Sequence, residues 1–243
     1  MQVVSGPTYA PRIHFEAPPS VRVPAEMDSF IEWFNRTSPQ GPEPLPALTR
    51  AGLAHLRFES IHPFEDGNGR IGRAIAEKAL VQGFGQTILL VLGKSILAHH
   101  RAYYDALEAA NKGNEVSDWL AWFAGIAIEA QFRSTSQVEF LIDKTKLLDR
   151  LRDTRNARQR KVILRMLQEG PEGFKGGLDA RKYGTIAGSS PATTTRDLAA
   201  LVEQGALVRS GELKHTRYVL NLPLRPVPRV EITTDGNVTE SFC

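Results

Sequence analysis

The sequence predicts a mainly helical protein in two parts, a larger helical domain and a small α+β domain behind it. Three observations carry that expectation. Apolar residues recur at helical spacing in several stretches of the 243-residue chain, while period-two alternation is confined to short segments. After residue 159 the order changes to three short helices followed by two short strands. The charge is also divided: residues 1–143 hold 12 Lys/Arg against 16 Asp/Glu, whereas residues 144–229 hold 18 against 8. Halves of opposite sign suggest domains with different partners, which the formal net charge of +3 conceals.

Composition narrows the class. A chain of this length can bury a real core, and 42% hydrophobic with 23% charged residues is ordinary for a water-facing protein. Cys243 is the single cysteine, so no intrachain disulfide forms and a reducing compartment is expected. No charged-then-apolar leader opens the sequence and no run of about 18 apolar residues occurs, so the expectation is a cytoplasmic protein outside any membrane.

Residues 1–24 are Pro-rich and read either as a loose arm or as a short strand, with Arg12-Ile-His-Phe-Glu16 alternating. Glu26 to Arg36 reads as a helix with Met27, Phe30, Ile31 and Phe34 on one stripe. Pro39, Pro42, Pro44 and Pro46 make a stiff connector. A helix over Ala47–Phe58 follows, with Leu48, Ala51, Leu53, Ala54 and Leu56 apolar, and another carries Ile71, Ala74, Ile75, Ala79 and Leu80. Ile88–Leu92 fits a buried strand or a helix. Lys94–Asn111 is helical with Tyr103 and Leu107 on one face, a placement usual for core residues. His99 and His100 have no carboxylate or cysteine at metal-like spacing and read as structural. Ser117 then opens a long helix through Trp119, Leu120, Trp122, Phe123, Ile126 and Ile128.

Between the two helices on either side of residue 62 lies Ile61-His-Pro-Phe-Glu-Asp-Gly-Asn-Gly-Arg-Ile-Gly-Arg73. The loop ends at a helix start, where unpaired amides and the positive end of the dipole bind anions. Gly67 and Gly69 allow close backbone approach, Asn68 adds a donor, and Arg70 and Arg73 add charge-assisted contacts to phosphate. Asp66 is a hard oxygen ligand suited to Mg²⁺ held jointly with a polyphosphate. An imidazole such as that of His62 can take a proton from an attacking hydroxyl. Fragments of this string are common turns; the combination makes a phosphoryl- or nucleotidyl-transfer site.

The full string resembles the signature of the Fic family, His-x-Phe-x-(Asp/Glu)-Gly-Asn-Gly-Arg-x-x-Arg, at His62, Phe64, Asp66, Gly67, Asn68, Gly69, Arg70 and Arg73. The resemblance implies a Fic-type helical domain that transfers AMP from ATP to a hydroxyl side chain of a target protein. It implies His62 as general base, Asp66 holding Mg²⁺, Gly67, Asn68 and Gly69 as an anion hole, and Arg70 and Arg73 on the outer phosphates. Phe64 is implied to anchor the loop in the core. The branch that transfers phosphate has lysine where Gly69 stands and is disfavoured. A Tyr and an Asn eight residues apart line the adenine pocket in such proteins, which points to Tyr103 and Asn111, with Tyr104 the weaker candidate. A β-hairpin flap that pairs with target backbone is implied near Ile13, His14, Phe15 and Glu16.

The family's inhibitory helix, Ser/Thr-x-x-x-Glu-Gly/Asn, has only the chance match of Thr135 and Glu139, followed by Phe140. The expectation is a chain that is not self-inhibited, its inhibition supplied by a separate chain or by a segment ahead of Met1. Self-modification and a homodimer are further expected partnerships. Removal of AMP from targets is disfavoured, because in the family it needs the inhibitory glutamate.

The basic part begins with a charged helix or linker over 144–158. Gln159–Gln168 is apolar at Val162, Ile163, Met166 and Leu167 and closes at Glu169-Gly170-Pro171. Leu178–Ala187 is a short helix before Gly188. Ser190 and Pro191 are an N-cap and first-turn pair ahead of Ala192–Gln204, with Leu198, Leu201 and Val202 inward. Ala206–Arg209 and Thr216–Leu220 are strands around Ser210-Gly211. This is the order of a winged helix over 159–223, a variant of the helix-turn-helix. In that reading Thr193, Thr194, Thr195 and Arg196, with Lys214, His215 and Arg217 in the wing, face DNA. The segment 224–243 reads as a loose tail. The domains are thus 1–46 (flap, first helix, connector), 47–143 (core with the signature at 62–73), 144–158, 159–223 and 224–243. A DNA-binding regulator that uses the nucleotide as a signal is the competing function.

Overall fold

In the computed structural model, residues 2–5, 9, 12–86, 88–152 and 156–242 are described, with backbone alone for 2–5 and 12–15. Strands β1 (Gln2–Ser5) and β2 (Arg12–Glu16) pair antiparallel from Gln2↔Glu16 to Ser5↔Arg12, with a register shift between Val3 and Val4. The alternating segment is therefore one arm of a hairpin rather than a loose arm. The side chains of Ile13, His14 and Phe15 lie outside the described residues.

Helices α1 (Val23–Arg36), α2 (Ala47–Ile61), α3 (Asn68–Phe84), α4 (Leu92–Ala98), α5 (His100–Ala110) and α6 (Ser117–Arg150) follow in order. Each begins or ends where local chemistry dictates. Pro24 sits in the first turn of α1, and Gly85 closes α3 in the left-handed region. The segment Ile88–Leu90 has no regular structure, and α4 begins at Leu92. Ile88 and Leu90 are partly buried against the core, so the apolar run packs as an irregular segment. Lys94–Asn111 is not one helix: it breaks at His99, whose φ of −116° leaves the helical range. That ring reaches Glu129, Nε2 to Oε2 at 2.8 Å, and Arg133 reaches the other oxygen at 3.0 Å. His99 thus has a carboxylate partner 30 residues away, which no local spacing reveals.

Two compact units divide the chain, residues 1–134 with 228–243, and residues 135–227. In the first, α1, α2, α3 and α6 enclose a core that includes Phe30, Phe58, Leu80, Trp119 and Phe123. Arg50 is buried in it without a carboxylate. Its Nη2 donates to Phe34 O at 2.7 Å, its Nη1 to Gln82 at 3.0 Å, and its guanidinium lies 4.0 Å above the Phe34 ring. The segment after Pro223, expected to be loose, instead contains a hairpin of β5 (Arg229–Ile232) and β6 (Val238–Ser241). Val230 is buried, and Gly125 of α6 lies so close to Val230 O that an added Cβ would stand 2.7 Å from it.

In the second unit α7 (Ala157–Leu167), α8 (Ala180–Ala187) and α9 (Pro191–Glu203) precede the antiparallel pair β3 (Leu207–Ser210) and β4 (Arg217–Leu220). Leu178 bridges Tyr218 as a single-residue addition to that pair. Asn156 and Gln159 form a reciprocal capping box at α7, and Ser190 caps α9 by accepting from Thr193 N–H. Asp197 of α9 ties the three helices together: Arg158, Asn156 and Tyr183 all donate to its carboxylate. Among the described residues no helix is long and apolar enough to cross a membrane.

Candidate active site

Helix α2 stops at His62, which takes the left-handed conformation (φ 50°, ψ 58°) and donates its N–H to Phe58 O at 3.0 Å. A non-glycine residue in that region is uncommon, although histidine is among those that enter it more readily, and it costs about 1 kcal/mol. The chain then turns through Pro63–Asp66 to Gly67, φ 93°, the residue before α3. No side chain caps α3, so its first amides face outward unpaired by any cap.

Asn68 has a different place from the one expected. It is buried, its Nδ2 donating to Phe64 O at 2.6 Å while its Oδ1 accepts from Phe64 N–H at 3.0 Å. Its side chain closes the loop, spending one of its two amide N–H donors on Phe64 O. Phe64 is also not a core anchor. It is 48% exposed and meets Phe58 at a ring separation of 6.4 Å, so the amide clasp of Asn68 does the anchoring.

Asp66 is exposed and pairs with Arg70 at 3.0 Å, one helical turn on. Both side chains reach solvent, so that pair is worth a few tenths of a kcal/mol. Arg73 turns back along α3: a Cβ on Gly69 would lie 3.2 Å from its Nη1, and one on Gly93 3.6 Å from its Nε. Gly69 is therefore a close-approach glycine whose space the Arg73 guanidinium uses.

Behind α3 sits a group that the sequence reading did not single out. Glu59 lies three residues before His62, with Oε1 buried and without a hydrogen-bond partner. An added Cβ at Gly72 would stand 2.5 Å from that oxygen and 3.1 Å from Nδ1 of His55. Burial pushes the Glu59 carboxyl up to about 7, against the opposing pull of Arg73. Burial likewise brings the His55 imidazole down to about 4. His55 and Glu59 stand one turn apart on α2, and Gly69 and Gly72 stand one turn apart on α3. That polar stripe facing a glycine stripe is the signal that could have found them.

Tyr103 is buried, its hydroxyl 3.0 Å from His55 Nε2, and its ring contacts Trp119 and Trp122. It is a core residue and offers no face to a ligand. Tyr104 is 60% exposed and rests against Tyr103 with ring centroids 5.2 Å apart. Asn111, also exposed, places Oδ1 2.8 Å from Ser60 Oγ, which sits two residues before His62. The C-terminal end of α5 is thereby fastened beside the loop. Glu16 ends β2 and is exposed.

In the basic unit Arg196 and Lys214 are exposed and Arg217 is half-buried. Thr195 is exposed but returns its hydroxyl to Pro191 O, and Thr193 is engaged with Ser190. Thr194 is buried, 2.8 Å from Ser189 Oγ, and cannot reach a groove. It falls on the inward face because it precedes Leu198 and Leu201 by one and two helical turns. Glu139, the chance match to an inhibitory glutamate, is paired with Arg225.

Comparison with known proteins bears on the first of these sites. Residues 5–80, about a third of the chain, match the model of the Fic/DOC family. Protein adenylyltransferase fic-1 of Caenorhabditis briggsae is 31% identical over 90 residues, 37% of this chain and 16% of that protein. A probable protein adenylyltransferase of Aquifex aeolicus (strain VF5) is 32% identical over 68 residues, 28% of this chain and 20% of that protein. The chain thus spans about a sixth of the length of the first of these relatives. A Fic family protein from Desulfovibrio desulfuricans G20 aligns with a TM-score of 0.43 at 21% identity, over 87% of this chain and 57% of that one.

Proposed function

We propose that this chain transfers AMP from ATP to a hydroxyl side chain of a target protein. The observation that carries the reading is the uncapped N-terminus of α3 at Gly67, one short loop from a strained His62. In the reaction the Ser, Thr or Tyr oxygen of the target attacks the α-phosphorus of ATP. The bond from that phosphorus to the oxygen bridging to the β-phosphate breaks, and pyrophosphate leaves with the electron pair. His62 accepts the proton of the attacking hydroxyl.

The backbone amides at Gly67, Asn68 and Gly69 are assigned to the phosphates, with Arg70 and Arg73 on the outer ones. The backbone of Asn68 is assigned there while its side chain holds the loop. Among the described residues no three His, Cys, Asp or Glu gather as a metal group. Asp66 fits Mg²⁺ nonetheless, because that ion is commonly held by one carboxylate together with substrate phosphates. The weak, exposed Arg70 pair leaves Asp66 free to exchange partners. When bound with ATP, Mg²⁺ neutralises phosphate charge. Tyr104 and Asn111 are the base-side candidates, with Tyr103 supporting Tyr104 from beneath. The backbone of Ile13–Glu16 is the candidate edge for a target strand.

Intact mass of the chain and of His62→Ala, each with Mg²⁺ and ATP, tests the reading. One AMP added to the first and none to the second is the expected result. No addition to either, together with no ATP binding, overturns it.

For the second unit we propose a winged helix that recruits or positions the transferase on DNA. Its three helices, its hairpin and the exposed Arg196 and Lys214 support this. Affinity for a DNA duplex that falls steeply with salt, and falls further in Arg196→Ala, is expected. Salt-independent or absent binding assigns the unit to protein contacts. The competing regulator function, a nucleotide sensor with little transfer, needs neither His62 nor Asp66, and both are retained.

A further inference from the structure

We infer that Glu59 is a positioning residue for Arg73, fixing the guanidinium that meets the outer phosphate of the nucleotide; the inference rests on the transfer reading above. The geometry begins with two glycines one turn apart. Gly69 and Gly72 strip α3 of side chains along one edge, and both the Glu59 carboxylate and the Arg73 guanidinium use the space. A Cβ at Gly69 would lie 3.2 Å from Arg73 Nη1 and 4.0 Å from Glu59 Oε1, so acid and base flank the same backbone atom. On its far side Arg73 rests against Gly93 at the start of α4.

A carboxylate in such a place is costly unless it serves something. Glu59 Oε1 is buried with no donor upon it, and an unpaired buried acceptor costs about 1–3 kcal/mol. Arg73 is the cation that lowers the cost, since it alone pulls the Glu59 carboxyl back toward the ionised form. The groups facing Glu59 are His55 on its own helix, Arg73 on α3 and Tyr103 on α5, with Glu77 as the second acid near Arg73. His55 is neutral in this burial and Tyr103 keeps its proton, which leaves Arg73 as the single opposite charge among them. A guanidinium that shares the Gly69 edge with a half-buried acid has fewer orientations to lose when phosphate arrives, and preorganisation of that kind strengthens binding.

The test is ATP affinity by calorimetry on the full chain with Mg²⁺, from pH 6 to pH 8. Glu59→Gln keeps the shape and removes the charge. It is expected to weaken ATP at pH 8 by roughly two- to fivefold, the scale of a charge acting through space without a direct contact. The wild-type affinity is expected to fall as pH drops through about 7, where Glu59 takes its proton, and Glu59→Gln to be flat there. In an Arg73→Ala background Glu59→Gln is expected to change nothing further, the signature of action through Arg73. Gly72→Ala, whose methyl displaces the carboxylate without removing charge, is expected to reproduce the loss, and it serves if Glu59→Gln does not fold.

Wild-type affinity in Glu59→Gln, tighter binding, a persisting pH step, or an undiminished effect in the Arg73→Ala background each overturn the inference. If the chain binds ATP and His62→Ala abolishes transfer while those results are found, the inference alone fails. If the chain binds no ATP at all, the transfer reading fails and takes the inference with it.

Discussion

Phe64 and Asn68 clasp each other through two hydrogen bonds, backbone N–H to Oδ1 at 3.0 Å and Nδ2 to backbone O at 2.6 Å. The four-residue ring so formed fixes the loop between His62 and α3. Asn68→Ala removes both bonds and leaves the part-buried Phe64 peptide groups without their partner, at a cost of about 1 kcal/mol. Urea unfolding is expected to show that loss. ATP binding is expected to weaken as well, because the amides of Gly69 and Arg70 lose their fixed direction. A variant with full stability and full binding would leave the loop held by something else.

Gly125 marks the contact of α6 with the C-terminal hairpin. In Gly125→Ala the new methyl meets Val230 O at 2.7 Å, a backbone atom that cannot swing aside. The hairpin is expected to lift locally, with amide exchange over residues 229–241 faster by roughly tenfold or more while the helices keep their protection. Unchanged exchange there would mean that the hairpin tolerates a shift of several tenths of an ångström.

Asp197 governs the second unit. Burial by itself would raise its carboxyl, but hydrogen bonds from Arg158, Asn156 and Tyr183 and the charge of Arg158 outweigh that and hold it below its usual 3.8. A folded value below the unfolded one gives stability that is present above pH 3.8 and lost as pH falls through the lower folded value. Asp197→Ala leaves Tyr183 and Arg158 without their acceptor and is expected to cost about 2–4 kcal/mol, read by thermal unfolding of the unit's transition.

His55 and Glu59 oppose each other in acid. His55 sits at about 4 against 6.5 when exposed, so its contribution is present above 6.5 and lost as pH falls toward 4. Glu59 sits at about 7 against 4.5, so the folded form gains as pH falls from 7 toward 4.5. The two slopes offset between pH 6.5 and 4.5. Glu59→Gln is therefore expected to lose thermal stability more steeply than wild type on going from pH 7 to pH 5. Parallel curves would show that the two groups do not titrate as placed here.

What the sequence determined by itself is local. Helical spacing located α2, α3, α7 and α9. The alternation of Arg12–Glu16 located β2, and the Ser190-Pro191 pair located the start of α9. The signature placed His62, Gly67 and the arginines at one loop, because glycine conformation and uncapped amides act within a few residues. The capping box of Asn156 and Gln159 follows the same short-range rule, yet the sequence reading places Asn156 in a charged linker and begins the helix at Gln159.

Tertiary structure alone decided which faces are met and by what. Tyr103 and Tyr104 are adjacent in sequence and equally aromatic, yet the first is sealed against Trp119 and Trp122 and the second stands open. Thr194 and Arg196 share the same helix start, and only the neighbours of α9 make one buried and the other exposed. Glu59 looks in sequence like any solvent-facing acid, and it becomes a half-buried counter-charge because α3 brings two glycines and Arg73 near it. Periodicity shows that a helix has a face; burial and electrostatics depend on what is packed there, and that is set by chain segments tens of residues apart.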